Sequence, residues 1–302
     1  VLKRGKAIMA KIKTFKKRKW GVNIALCVIT LVFVLPMITI ISVSFSNEND
    51  VVRYGYKLIP MHFDLSAYKI LFKNVGSILR AYGVTIYGSV LGTFLSLLLM
   101  STAGYALSRK DFKFRKFFTF YFLITMIFSG GLIPTYIINT KYLGLMNNML
   151  VYVVTGLVAA YNIFIFRTFF QQIPISLIEA AKIDGASERK IFSSIIFPMS
   201  KACFASLGFM TLLSRWNDFT VPMYYINDRS MYNIQYYLQM VIKESNFLKQ
   251  ALEMAGSNEI LNIPTETLKF AVCVIGALPA AIIFPYFQKS FAKGMVIGSV
   301  KG

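Results

Sequence analysis

Six stretches of this 302-residue chain are long, apolar and almost free of formal charge, a pattern that an ordinary water-soluble domain does not carry. They run from about Gly21 to Phe45, Tyr82 to Ser108, Phe117 to Ile138, Leu150 to Phe166, Ile191 to Leu213 and Phe270 to Phe287. Backbone polar groups in hydrocarbon must be satisfied within their own segment, so a crossing of roughly 20 residues has to be helical. The one formal charge among them is Lys201, just past Pro198, where a long side chain can snorkel to the interface. Composition agrees, with 56% hydrophobic residues, only 15% charged and a mean hydropathy of +0.58. The expected fold class is all-α, a polytopic membrane protein with six transmembrane helices.

The formal charge of +20, from 33 basic and 13 acidic residues, would in a soluble protein suggest nucleic acid. Here its distribution reads as topology. Residues 1–20, 109–116, 167–190 and 288–302 hold nine, five, four and three basic residues, whereas the alternate set 46–81, 139–149 and 214–267 holds five, one and four over a greater length. By the positive-inside rule the first set, and both termini, are cytoplasmic, and no nucleic-acid partner is expected. The basic block Lys3 to Lys19 ahead of the first apolar run resembles a signal-peptide start. That run is too long for a signal core of roughly 7–15 residues, so an uncleaved first helix beside anionic lipid is expected.

The chemistry-bearing residues are few. Cys27, Cys203 and Cys273 all lie in apolar stretches, and His62 is the single histidine, which leaves no disulfide framework and no zinc motif. The chain holds no phosphate-cradling loop, dinucleotide fingerprint or nucleophile elbow. No catalytic residue, metal or bound cofactor is expected, and the chain is not read as an enzyme.

Gly88, Gly92 and Ser96 recur every fourth residue in the second stretch, either a close-packing face for another helix or accidental composition. Gly130, Gly131 and Pro134 predict an irregular end to the third. Between the fourth and fifth stretches, Pro174 to Lys190 reads as two short helices joined by a turn. Ser176 with Glu179 forms a capping box, Gly185 takes a left-handed backbone and Ser187 caps the second helix. Leu177, Ala180, Ala181 and Asp184 share one small, partly apolar face suited to a socket in another protein.

The spacing Glu179-Ala180-Ala181, three residues, Gly185, nine residues, Ile195, one residue, Phe197-Pro198 resembles the EAA motif in membrane subunits of binding-protein-dependent ATP-binding-cassette importers, with Phe197 where Leu is usual. Trp216 to Pro222 and the tail ending Gly298 to Gly302 are similar to the carbohydrate-importer branch that includes the maltose permease. Ser129 to Pro134 and Phe166 to Phe170 look like its LplC-type permeases, which work with lipoprotein binding proteins and take up complex oligosaccharides.

The resemblance implies a type I ABC importer permease fold in a bacterial cytoplasmic membrane. Residues 1–20 would be a basic cytoplasmic segment, 21–287 the permease domain and 288–302 a cytoplasmic tail, with a coupling loop at about 171–198 and an outer loop at about 214–267. Glu179, Ala180, Ala181, Asp184, Gly185, Ile195 and Pro198 would then couple to an ATPase subunit, and Lys293 to Gly302 would reach the ATPase interface. The partners implied are a second homologous permease, two ATPase subunits holding ATP and Mg, an extracytoplasmic solute-binding lipoprotein, membrane lipid and an oligosaccharide. Glu179 and Gly185 could instead only cap and terminate their helix.

Asn162, Asn217 and Asp218 could bond sugar hydroxyls along the path or merely a neighbouring helix. Tyr224, Tyr225, Tyr232, Tyr236 and Tyr237 in the slightly acidic outer loop could stack on sugar or anchor at the interface. The alternative function is an autonomous secondary transporter or channel for a small polar solute. The six stretches hold no Asp or Glu and no internal repeat of the loop, as such a carrier would use.

Overall fold

The structure, a computed structural model, describes the backbone of residues 2–255 and 263–299 and the side chains of residues 20–255 and 263–285. The side chains of the basic block Lys3 to Lys19 and of the tail Lys293 to Gly302 lie outside the described residues. In order the helices are α1 (Leu2–Ser44), α2 (Glu48–Tyr54), α3 (Ser66–Phe72), α4 (Val75–Ser108), α5 (Arg115–Ile127), α6 (Leu132–Ile137), α7 (Val151–Val154) and α8 (Ala160–Phe170). They continue as α9 (Ile175–Ile183), α10 (Glu188–Ile191), α11 (Phe197–Met199), α12 (Lys201–Trp216), α13 (Thr220–Tyr225), α14 (Ile234–Met254) and α15 (Glu266–Ser299).

Among the described residues three helices are long and apolar enough to cross a membrane, at Trp20–Ser44, Val75–Ser108 and Glu266–Pro285. Two pairs pass the same test only together. Arg115–Ile127 with Leu132–Tyr142 is bent by 113°, and Glu188–Met199 with Lys201–Trp216 by 82°. The first bend lies where Gly130, Gly131 and Pro134 were expected to make the chain irregular, with Gly131 at φ +85. Counting each pair as one span gives five rather than six. The expected fourth stretch is not one helix: α7 stops at Val154, Thr155 is extended, Gly156 turns at φ +63 and α8 resumes at Ala160.

The chain divides into two compact units, Val1–Lys73 with Val241–Ile275 and Asn74–Met240 with Gly276–Gly302. In the first, the apolar residues 20–38 of α1 include no buried side chain. Its Thr30 and Thr39 hydroxyls donate back to the Leu26 and Leu35 carbonyls, which removes a cost of placing them in hydrocarbon. Past α1, Phe45 stacks between Phe63 and Tyr68, and Ser46 bridges to Phe63. Glu48, 7% exposed, turns its carboxylate to the start of α15. It accepts from the Thr265, Glu266 and Thr267 amides at 2.8–2.9 Å and from the two threonine hydroxyls. A buried carboxylate is tolerable there because it meets the unpaired amides of a helix N-terminus.

The second unit is organised along α4. Gly88 and Gly92 have no side chain because their neighbours occupy its place. A Cβ on Gly88 would lie 2.8 Å from Cβ of Tyr152, and one on Gly92 2.5 Å from a guanidinium nitrogen of Arg215. The small-residue stripe is therefore a packing face. One core cluster joins Met100, Tyr105 and Leu107 of α4 to Ile163, Phe166 and Phe170 of α8, Ile178 of α9, Ile191 of α10 and Cys203 and Leu207 of α12. The second gathers Val84, Tyr152, Tyr225, Tyr232 and Tyr236. Three of the five tyrosines expected to face sugar or the membrane interface are thus interior, because the segment after α12 folds back as α13 and α14. The Trp216 indole, donating to the Gly276 carbonyl at 3.1 Å, holds α12 to α15.

Removing the Glu48 carboxylate leaves five donors unpaired at the start of α15, so Glu48→Ala should cost about 3 kcal/mol of stability. Glu48→Gln should cost less, since an amide oxygen still accepts. Thermal unfolding in detergent measures both, and a wild-type midpoint for Glu48→Ala contradicts this capping role.

Candidate functional site

Two places concentrate exposed or polar side chains that packing alone does not use: the loop from Pro174 to Pro198, and a cavity beside α4. In the loop, α9 begins at Ile175 on the Pro174 cap, two residues before the capping box expected from Ser176 and Glu179 could act. Ser176 is already helical and cannot cap, so Glu179 is left as an exposed carboxylate. Gly185 sits at φ +75, as expected of the turn, with nothing within 4 Å of where a Cβ would project. The Ser187 hydroxyl accepts from the Lys190 amide and caps α10.

The loop has an inner and an outer side. Ile178 is buried, and Ala181 and Ile195 pack half-buried against the same core cluster. Glu179, Ala180, Asp184, Gly185 and Pro198 are exposed. Ile183 is 86% exposed, and Leu177 and Ile175 on the same short helix are exposed large apolar side chains too. Exposed apolar residues grouped in this way mark an interaction surface. Ala181 and Ile195 are therefore not on the outer side; Ile195 is turned inward by a π-helical turn over Phe192–Ile196 just before Pro198.

The loop is fastened to the bundle by contacts that the sequence did not suggest. Lys182 Nζ lies 2.9 Å from a carboxylate oxygen of Asp111 and 2.9 Å from one of Glu188. The Tyr105 hydroxyl at the end of α4 donates to Glu188 at 2.6 Å. The Glu188 and Asp111 carboxylates hold the Lys182 ammonium pKa above its ordinary value, and Lys182 holds Asp111 below its own. Lys182 and Asp111 are 71 residues apart, and no local periodicity could have joined them.

The cavity, about 330 Å³, lies between α4, the break after α7, α8 and α12. Asn162 and Asp218 share its wall, whereas Asn217 does not line it and accepts from Gln235 instead. Asp218 is partly occupied in capping α13, through the Thr220 and Val221 amides. Arg215, which lay outside the expected fifth stretch, belongs to α12 and reaches into the wall. It donates to the Tyr152 carbonyl at 2.8 Å, the Gly156 carbonyl at 3.2 Å and the Ser96 hydroxyl at 3.0 Å. An arginine in an otherwise apolar segment is the signal that could have identified it.

Residues 101–297 match a family of proteins described as the binding-protein-dependent transport system inner membrane component. The chain is 36% identical to the Bacillus subtilis polygalacturonan/rhamnogalacturonan transport system permease protein YtcP, over 92% of this chain and 96% of that one. It is also 36% identical to protein LplC of the same species, over 97% of this chain and 100% of that one. Its fold superposes with a TM-score of 0.77, at 29% identity and over 91% of this chain and 97% of the other, on a chain of a bacterial ABC transporter involved in the import of the acidic polysaccharide alginate.

Exposed ion pairs are each worth well under 1 kcal/mol, so Lys182→Met, which breaks two, should cost about 1 kcal/mol. Asp111 has its pKa lowered by folding, so its share is present at neutral pH and lost as the pH falls through that lowered value. The thermal-midpoint difference between wild type and Lys182→Met should therefore narrow on acidification below the carboxylate range, and a difference that widens contradicts the pairing.

Proposed function

Because the chain belongs to the family of binding-protein-dependent transport system inner membrane components, we propose that it forms, with a second homologous permease, the translocation path for an oligosaccharide. The chain is a multi-pass permease subunit, and ATP is hydrolysed in separate ATPase subunits. In this reading ATP and Mg belong to two ATP-binding-cassette subunits below the membrane, and a solute-binding lipoprotein delivers the sugar from above. The membrane is a bacterial cytoplasmic membrane with both termini inside, as the crowding of basic residues in 1–20, 109–116, 167–190 and 288–302 supports. The oligosaccharide class is supported by the names of the relatives, among them an arabinooligosaccharide permease of Halalkalibacterium halodurans at 29% identity.

The observation that carries the coupling role is the outer side of the Pro174–Pro198 loop. Ile183, Leu177, Glu179, Ala180 and Asp184 stand in solvent around a turn that Gly185 makes possible. This surface docks in a cleft of an ATPase subunit. A push or pull on it reaches the bundle through the buried Ile178 and through Lys182, whose carboxylate partners tie it to the α4 end. Ala181, Ile195 and the π-helical turn serve the same transmission from inside, with Pro198 at the loop's end. Asn162 and Asp218 face the path through the cavity wall, and Asn217 contributes only through Gln235.

The complex co-expressed with its sister permease, ATPases and binding protein, and returned to lipid vesicles, tests this reading. Gly185→Ile forces a β-branched residue into a left-handed backbone, a strain of about 1–2 kcal/mol confined to the turn. Sugar uptake and binding-protein-stimulated ATP hydrolysis should fall at least tenfold while all subunits still co-purify. Full stimulated hydrolysis in that variant, or a wild type that recruits no ATPase, contradicts it.

A further inference from the structure

We infer that Arg115 and Arg167, with the groove beside them on the exposed face of α8, form a binding site for one anionic phospholipid, the two guanidiniums holding its phosphate and the groove an acyl chain. The inference needs the chain to sit in a membrane and depends on no particular solute. The Arg167 guanidinium crosses from α8 to α5, where it donates to the Thr119 hydroxyl at 3.3 Å. Thr119 stands one helical turn beyond Arg115 on α5, so two cations face one seam, and Arg115 is near enough to repel Arg167. Both are half-buried, and among the described residues neither meets a carboxylate within ion-pair distance. Arg115 Nε donates to the Leu107 carbonyl at 3.0 Å, and Asp111, the single acid of residues 109–116, is taken by Lys182. Like charges partly withdrawn from water call for an anion between them, and a phosphodiester offers the planar fork of arginine a matching pair of oxygens.

The surroundings fit a lipid rather than a free anion. Arg167 lies over the Phe164 ring, 6.0 Å from its centroid, and Phe164 lines an open groove of about 350 Å³ together with Tyr161, Ile165 and Thr168. From Thr168 back to Tyr161 the groove follows α8 for about 10 Å at a rise of 1.5 Å per residue, a large part of the roughly 15 Å that one leaflet contributes to the hydrocarbon. On the neighbouring α5, Phe117, Phe120 and Tyr121 are exposed large apolar side chains that begin just after Arg115. The arginine pair thus sits where a basic segment meets an apolar surface, which is headgroup depth.

The test is native mass spectrometry of the full chain with the subunits that co-purify with it, in a neutral detergent, after incubation with dioleoylphosphatidylglycerol, dioleoylphosphatidylcholine or inorganic phosphate. Wild type should retain phosphatidylglycerol under conditions that strip phosphatidylcholine and phosphate. Arg115→Gln/Arg167→Gln should retain one phosphatidylglycerol fewer than wild type. So should Thr168→Glu, which keeps both arginines and sets a carboxylate in the groove, so a folding defect in the double variant does not decide the result. Lys110→Gln/Lys113→Gln removes as much charge from exposed positions of the same segment and should retain as many as wild type. Equal retention in wild type and Thr168→Glu, an equal loss in the lysine variant, retention of phosphatidylcholine alongside phosphatidylglycerol, or phosphate that takes the lipid's place overturns the proposal. So does loss of another subunit from the arginine or Thr168 variants at an unchanged lipid count, which makes this face a protein interface instead.

Discussion

A helix that breaks inside a bilayer leaves carbonyls with no water to bond, and the break between α7 and α8 is held by one guanidinium. Arg215 takes the Tyr152 and Gly156 carbonyls and the Ser96 hydroxyl, so three helical segments converge on one side chain. Its planar fork suits several fixed acceptors at once, which the point charge of a lysine does not. The fork fits against α4 only because Gly92 has no side chain, and Tyr152 reaches its place only because Gly88 has none. The small-residue face, the broken fourth stretch and the cavity are thus consequences of the same close approach.

The other end of α4 carries the load in the opposite direction. There the packing of Tyr105, Phe170 and Ile178 merges the bundle with the Pro174–Pro198 loop, and the Lys182 ion pairs reinforce it from the solvent side. Packed interiors deform little, so in the coupling proposed above a displacement of α9 would pass to α4 and α8 rather than be absorbed. The same α4 therefore links an exposed loop surface with a largely apolar cavity lying beside its Ser89 and Thr85.

Much of this was legible in the sequence, and what was not has identifiable physical causes. Uncharged apolar runs revealed the spans, four-residue spacing revealed the Gly88–Gly92–Ser96 face, and the Gly185 turn and Ser187 cap followed from local backbone chemistry. These are short-range signals. The capping box at Ser176 failed because Pro174 starts the helix earlier, which a residue-spacing pattern does not weigh. The break at Gly156 leaves five spans by length among the described residues where six were expected, and two of the five are bent near Gly131 and Ser200, since apolar composition does not say whether a run is straight. The Lys182–Asp111 pair, the Arg215 tie and the burial of Tyr225, Tyr232 and Tyr236 join residues far apart in the chain, and only tertiary structure brings them together.

The claim on which the functional account turns is that the outer side of α9 meets an ATPase subunit. A photo-reactive p-benzoylphenylalanine placed at Ile183, and separately at the 88% exposed Met254 at the end of α14, measures this in the co-expressed complex. Irradiation should yield an adduct with the ATPase from position 183 and none from position 254. An adduct from 254 but not from 183 would contradict both the coupling surface and the orientation of the chain in the membrane.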